Sequence, residues 1–378
     1  MGARATRTAA IFGVALAVAA CSQHSVPADS WDPQAAAAYL DRRIQWWMGW
    51  SGAARDHGTF CFSCHTALPY ALARPSLRTT LGELAPTAAE RRLMDDVRQR
   101  VRLWSASSPF YTDERHGPGK SAQSRGTEAV LSALMLAWDD ARSGRLSADT
   151  RAALDNMWAV QRAGGADRGA WAWLDFDLAP WEVADAQYYG AALAALAVGV
   201  APEDYRSLPQ IQDHLQLLRE YLARDYPAQS LHHRLVLLWA ARQLPGLLAS
   251  DQRRALIEAA LRAQNPDGGW SLSALVSPSS RRGELLRDPA SDGYATALVT
   301  LVLEETAMPG AGEQVRRGLS WLVHNQRGHG GLWIRGQESF WVTRSLNKRR
   351  NPSSNVGRFM SDAATAYAVL ALTQSPRP

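Results

Sequence analysis

"RAQNPDGGWSL", residues 262–272, decides how the chain is read. It runs from Gln264 through Gly268 and Gly269 to Trp270. Two other stretches share the form: "AVQRAGGADRGAWAW" (159–173), with Gln161 and Trp171, and "VHNQRGHGGLWI" (323–334), with Gln326 and Trp333. Each follows a helix-patterned stretch. Each is followed, after a variable loop, by an Asp that opens a run of small apolar residues: "DAQYYGAALAALA" (185–197), "DGYATALVTLVL" (292–303) and "DAATAYAVLAL" (362–372). A recurring helix–turn–helix unit is the signature of a repeat fold.

Weaker copies fill the remainder. Apolar runs open at His65, Glu128 and His232, which makes six, each with a polar residue at its N-terminus. Between them lie six amphipathic stretches near 33–50, 87–104, 148–162, 207–224, 251–264 and 312–326, with apolar residues three and four apart. Strand signals are nearly absent, so the class is all-α. Six helices apolar on nearly every side must be buried, and six amphipathic ones must cover them. The expected architecture is an (α/α)6 toroid, six inner helices inside six outer ones. An open solenoid would want polar capping repeats, and the last repeat is as apolar as the middle ones.

The Gln-to-Trp stretches resemble the QW motifs of the squalene–hopene and oxidosqualene cyclases, within the wider group of terpenoid cyclase and protein prenyltransferase toroids. "QNPDGGW" (264–270) matches best, and the spacing is longer in the other two copies. The resemblance implies a toroid in which Gln ties helix ends together and Trp packs on a neighbouring repeat. It implies less about activity. Family cyclases carry an Asp-x-Asp-Asp acid motif, and the best-placed stretch here is Glu182-Val183-Ala184-Asp185, with Ala184 where an acid is needed. Protonation-driven cyclisation is therefore not expected in its family form. Asp175, Asp177, Glu182 and Asp185 remain as weak catalytic candidates, as paired carboxylates for carbohydrate chemistry or as a proton donor. Their plain alternative, for Asp185, Asp292, Asp362 and Glu128, is capping of helix N-termini.

Composition is that of a globular protein: 46% apolar, 20% charged and a net charge of +5. No basic stripe interleaved with aromatics points to nucleic acid. Lys348, Arg349 and Arg350 form the densest cationic cluster, expected as a solvated loop or as a docking patch for an acidic partner. Arg4 and Arg7 precede an apolar run of signal-peptide length that ends in Val18-Ala19-Ala20-Cys21. This resembles a bacterial lipobox with Cys21 as the lipidated residue. The expected organisation is a signal segment at 1–21, a tether at 22–30 and a single toroid domain at 31–378. The protein is then exported, periplasmic or otherwise outside the cytoplasm, and held to the membrane by its N-terminal lipid alone.

Of three cysteines, that leaves Cys61 and Cys64, with His65 next. Cys-x-x-Cys-His is the attachment signature of c-type haem. Two thiols form thioethers with the two vinyl groups, and the following His is placed beneath the iron as its proximal ligand. A thioredoxin-like dithiol would sit at a strand-to-helix turn, and a zinc site would want a fourth ligand. In a closed ring, Met360 before the sixth inner helix stands near this motif and is a possible distal ligand. His116 is the alternative, with His57 a further candidate, and an open sixth position would admit oxygen or peroxide. Trp46, Trp47 and Trp50 lie outside the QW motifs and suit the wall of a haem or apolar-ligand pocket. His232 and His233 are expected to be core histidines, since adjacent helical residues diverge by about 100°. The expected role is redox, with a redox partner or a small apolar ligand. The alternatives are a non-redox enzyme on the same scaffold, cyclase-like or carbohydrate-active, and a binding module in which haem is structural.

Overall fold

The computed structural model describes residues 30–111, 117–276, 287–306, 311–328 and 339–374. Cys21 with the export segment, His116 and Trp333 lie outside the described residues. The outer helices are α1 (Pro33–Gly49), α3 (Ala88–Arg102), α5 (Ala148–Ala159), α7 (Gln212–Asp225), α9 (Ser250–Arg262) and α12 (Gly312–His324). The inner helices are α2 (Ala67–Leu81), α4 (Gly117–Ala141), α6 (Gln187–Val200), α8 (Leu231–Gln243), α11 (Gly293–Thr306) and α13 (Phe359–Gln374). α10 (Leu272–Leu275) is a single turn, and β1 (Arg327–Gly328) pairs antiparallel with β2 (Ser339–Phe340). That ribbon was not anticipated.

Inner helices pack in the order α2, α4, α6, α8, α11, α13, and α13 packs back on α2. The ring is closed, and the fold is an all-α toroid. The inner helices are buried through most of their length, as their unbroken apolar runs require. Local chemistry starts the outer ones. Asp32 accepts from Ala35 N–H at α1, Thr87 and Glu90 form a reciprocal capping box at α3, and Ser147 caps α5.

The Gln-to-Trp motif is a joint with three parts. First, Trp171, Trp270 and Trp341 donate their indole N–H to the carbonyls of Met157, Ala260 and Leu322, each two residues before its outer helix ends. Trp341 thus does in the sixth repeat what the sequence suggested for Trp333. Second, Gln161 and Gln264 donate both to a glycine carbonyl of their own loop, Gly169 or Gly268, and to His214 or Gln314 in the first turn of the next outer helix. Third, those glycines have φ of 97° and 93°, and an added Cβ would come within 2.1 Å of Leu217 O and 2.9 Å of Arg317 O. Only glycine tolerates both that conformation and that approach.

Gln326 ties the sixth outer helix to the start of the first across the seam, with a different pair of bonds. It accepts from Asp32 N–H at 2.7 Å and donates to Asp32 O at 2.9 Å, linking residues 294 apart. Replacing it with Ala removes both bonds and leaves the Asp32 N–H without its partner, while Asp32 O keeps its bond from Ala36 N–H. Gln326→Ala should lower unfolding stability by about 1–3 kcal/mol, read from the urea midpoint. A midpoint equal to that of the parent would show that the seam is held elsewhere.

Candidate functional site

The inner-helix N-termini share one end of the barrel, the mouth, and the Cys61–His65 segment lies there. It is an ordered loop. Cys61 N–H donates to Ala53 O and Trp47 Nε1–H donates to Cys61 O at 2.6 Å. Ser63 Oγ accepts from Thr66 and Ala67 N–H and so starts α2. Both cysteines are free thiols and both are buried. Burial pushes the Cys61 thiol up to about 12 and that of Cys64 well above the usual range. A dithiol redox pair needs the opposite, a lowered thiolate pKa.

His65 is also buried, and burial followed by the charges of Arg350 and Arg43 holds its pKa well below the usual value, so the ring is neutral at neutral pH. Its tautomer follows from its neighbours. Arg43 grips Asp362 with two bonds, Nε to Oδ1 at 2.7 Å and Nη2 to Oδ2 at 2.9 Å. Burial raises the Asp362 pKa, and the Arg43 guanidinium and the hydroxyls of Tyr39 and Thr66 oppose the rise; a bidentate guanidinium is the partner that favours the ionised form. An ionised carboxylate only accepts, so Thr66 donates its hydroxyl proton to Oδ2 at 2.8 Å. Thr66 Oγ1 is then the acceptor for His65 Nδ1–H at 2.9 Å. Nε2 is left with its lone pair free. Phe359 stacks on the imidazole with centroids 4.0 Å apart, and Trp47 stands edge-on at 5.3 Å. Trp46, Trp47, Trp50 and Phe359 form one aromatic cluster, in which Trp47 and Phe359 touch His65 and Trp46 and Trp50 pack behind them on Phe359. Met360 is buried in the first turn of α13, one residue beyond Phe359.

Glu182 lies buried at the same end, and burial, helped by the charge of Asp175, raises its pKa to about 7 against the pull of Arg350, Lys120 and Lys348. Asp175 and Asp177 are half-buried and share a turn, Asp175 Oδ1 accepting from Asp177 N–H. Asp177 pairs with Lys348 at 3.6 Å, and Arg350 lies over the Phe359 ring at 5.4 Å. Two of the three cations expected on a solvated loop therefore turn to the mouth. Asp185 lies two residues before α6, at the same end of the barrel, half-buried, with Oδ1 unpartnered among the described residues.

Most of the polar helix openings are not simple caps. Asp292 is one, accepting from Tyr294 and Ala295 N–H. Glu128 lies inside α4, which begins eleven residues earlier at Gly117, and is held bidentately by Arg100. Asp362 pairs with Arg43, and α8 is capped by Ser230 rather than by His232. His232 and His233 are core residues as expected. The residues missed are Arg43, Tyr39 and Thr66 around Asp362, and Trp181 and Tyr294 beside His232. Among the described residues no three His, Cys, Asp or Glu side chains gather to hold a bare metal ion, and no helix is long and apolar enough to cross a membrane.

Fold and site thus define an all-α toroid with a Cys-x-x-Cys-His segment at its mouth. No known protein family and no curated protein matches the chain. A solved polysaccharide lyase is similar at 12% identity over 92% of this chain and 90% of that one, with a TM-score of 0.32. A likeness that slight bears on neither the site nor the reaction.

Glu182 generates a pH test. Its folded pKa is raised from 4.5 to about 7, so its neutral form stabilises the fold below about pH 4.5 and that contribution is lost as pH rises through 7. Between pH 5 and 8 the parent should lose up to about 3 kcal/mol more than Glu182→Gln, at 1.36 kcal/mol per pKa unit. Parallel stability–pH curves would place Glu182 in water.

Proposed function

We propose that this is an exported c-type haem protein with a redox role, either electron transfer or haem-assisted oxidation of an apolar ligand held at the mouth. The observation that carries the reading is the Arg43–Asp362–Thr66–His65 chain, which presents Nε2 of a neutral imidazole directly after two reduced, unreactive cysteines. A metal-binding His whose other nitrogen is fixed by a hydrogen bond is the arrangement that orients the ring and raises its basicity. When bound, haem supplies a one-electron iron couple and, with a free axial position, a place for oxygen or peroxide.

Cys61 and Cys64 would hold the group covalently and His65 would ligate it. Lys120, Lys348 and Arg350 supply positive charge at the mouth for its carboxylates. The aromatic cluster and Phe359 exclude water from the imidazole. Met360 is the proposed distal ligand, with an open position as the other state. Cys61 and Cys64 are only 3% and 1% exposed, so attachment belongs to the exported chain before the toroid closes. Anchoring through Cys21 would keep the protein at the membrane beside a redox partner.

Glu182 favours one second reading. A buried carboxyl titrating near 7 beside Asp175 and Lys120 suits acid–base chemistry, including chemistry on a carbohydrate. Turnover that survives Cys61→Ala and Cys64→Ala but not Glu182→Gln would select it.

Protein exported from a host with working haem maturation should gain the mass of one haem and show a sharp c-type band on reduction. Met360→Ala should alter its ferric near-infrared band. A colourless chain of unmodified mass would remove the proposal. Thr66→Val tests the chain of hydrogen bonds. It takes the acceptor from His65 Nδ1–H, makes Nε2 a weaker donor to ferric iron and should raise the reduction potential with attachment intact. An unmoved potential would leave Thr66 a packing role only.

A further inference from the structure

The buried first turns of two inner helices, α8 and α11, hold an arrangement that iron ligation does not use. Trp181, Tyr294 and His232 are each fully buried. Trp181 Nε1–H donates to the Tyr294 hydroxyl oxygen at 2.8 Å, and that hydroxyl lies 2.9 Å from His232 Nε2. The phenolic proton needs an acceptor, and His232 Nε2 is the one the described residues provide. Two other buried tyrosines lie nearby, Tyr189 and Tyr367, and the group their hydroxyls face is each other rather than an imidazole. Burial, reinforced by His233, holds His232 neutral, so it has a lone pair to offer. At the other end, the Trp181 ring is 5.0 Å from that of Tyr294 and 6.4 Å from that of His65. A base-paired phenol in a dry core, joined by an indole to the Cys61–His65 end, is built for one-electron loss coupled to a short proton shift.

We propose that Tyr294 is a redox-active tyrosine that delivers an electron through Trp181 to the Cys61–His65 end and its phenolic proton to His232 Nε2. The inference rests on the haem reading for its natural oxidant, a hydroperoxide reduced at the iron. Cleavage of the hydroperoxide to an alcohol and water would take two electrons and two solvent protons; Tyr294 would give one electron, and the bound haem would supply the other and regain it from the redox partner. Tyr294 is left as a neutral phenoxyl radical beside an imidazolium at His232. Return of one electron and of that proton restores the pair. Tyr189 and Tyr367 lack a base and do not compete.

Two arms test this on the full chain. In the first, haem-loaded protein is mixed with hydrogen peroxide and freeze-quenched for electron paramagnetic resonance. The parent should show a tyrosyl radical. Tyr294→Phe should abolish it, and His232→Gln, which keeps a hydrogen-bond acceptor but no base, should lower its yield at least tenfold. In the second, a ruthenium photo-oxidant is attached through Ala184→Cys, an exposed position three residues from Trp181, on Cys61→Ala, Cys64→Ala protein that carries no haem. Flash oxidation should give the same radical with the same dependence on Tyr294 and His232. Circular dichroism of each variant establishes folding. Radical formation in the second arm alone would retain the tyrosine site and count against the haem reading. A radical surviving Tyr294→Phe in either arm, a yield indifferent to His232→Gln, or no radical in the flash arm would overturn the proposal.

Discussion

The carboxylate of Asp362 is the point on which the seam and the mouth both depend. It is 1% exposed, and a charge so placed is tolerated only where partners replace its water. Arg43 and Tyr39 come to it from α1 and Thr66 comes from the start of α2, while Arg43 also holds Asn355. These partners lie 296 to 323 residues away in sequence. One ion pair therefore joins the last repeat to the first and aligns the hydrogen bonds that set the His65 tautomer. The geometry of the imidazole is a property of ring closure, not of the Cys-x-x-Cys-His segment by itself.

The same logic extends along the axis. Charged groups at the mouth are matched in pairs, such as Arg100 with Glu128, or left as a raised carboxyl, as at Glu182. Below them the barrel is filled by aromatic rings and small side chains. A dry interior of this kind strengthens every remaining polar contact, which gives the Trp181–Tyr294–His232 hydrogen bonds their weight. The polar features of the core include those that a redox reading can employ, while the carboxylates of the acid–base reading, Glu182 and Asp175, lie together at the mouth.

The helices were legible because burial imposes period. Runs such as 185–197 admit no exposed face, and the Gln, Gly and Trp of each joint are dictated by local backbone needs. What escaped was set by distance or by insertion. α4 starts at Gly117 because Pro118 suits a first turn, yet the polar stretch that follows hid the helix and made Glu128 look like its beginning. Trp341 was hidden because the sixth joint is interrupted by an insertion. Thr66 met Asp362 only through the closed topology, and Tyr294 met His232 through the packing of neighbouring inner helices. No spacing rule reports a contact that depends on six repeats coming round to a circle. The Cys61–His65 motif could be found because its chemistry is local.

Gln326 ties the seam, as Gln161 and Gln264 tie neighbouring repeats within the chain, so the toroid has no first or last unit in the mechanical sense. In an open solenoid the terminal repeats have one neighbour each and fray first. Here each inner helix is flanked by two others, and opening any one breaks a hoop. Loss of order should therefore spread round the whole ring at once instead of peeling from an end. A group held at the mouth by the first repeat is guarded by the stability of all six.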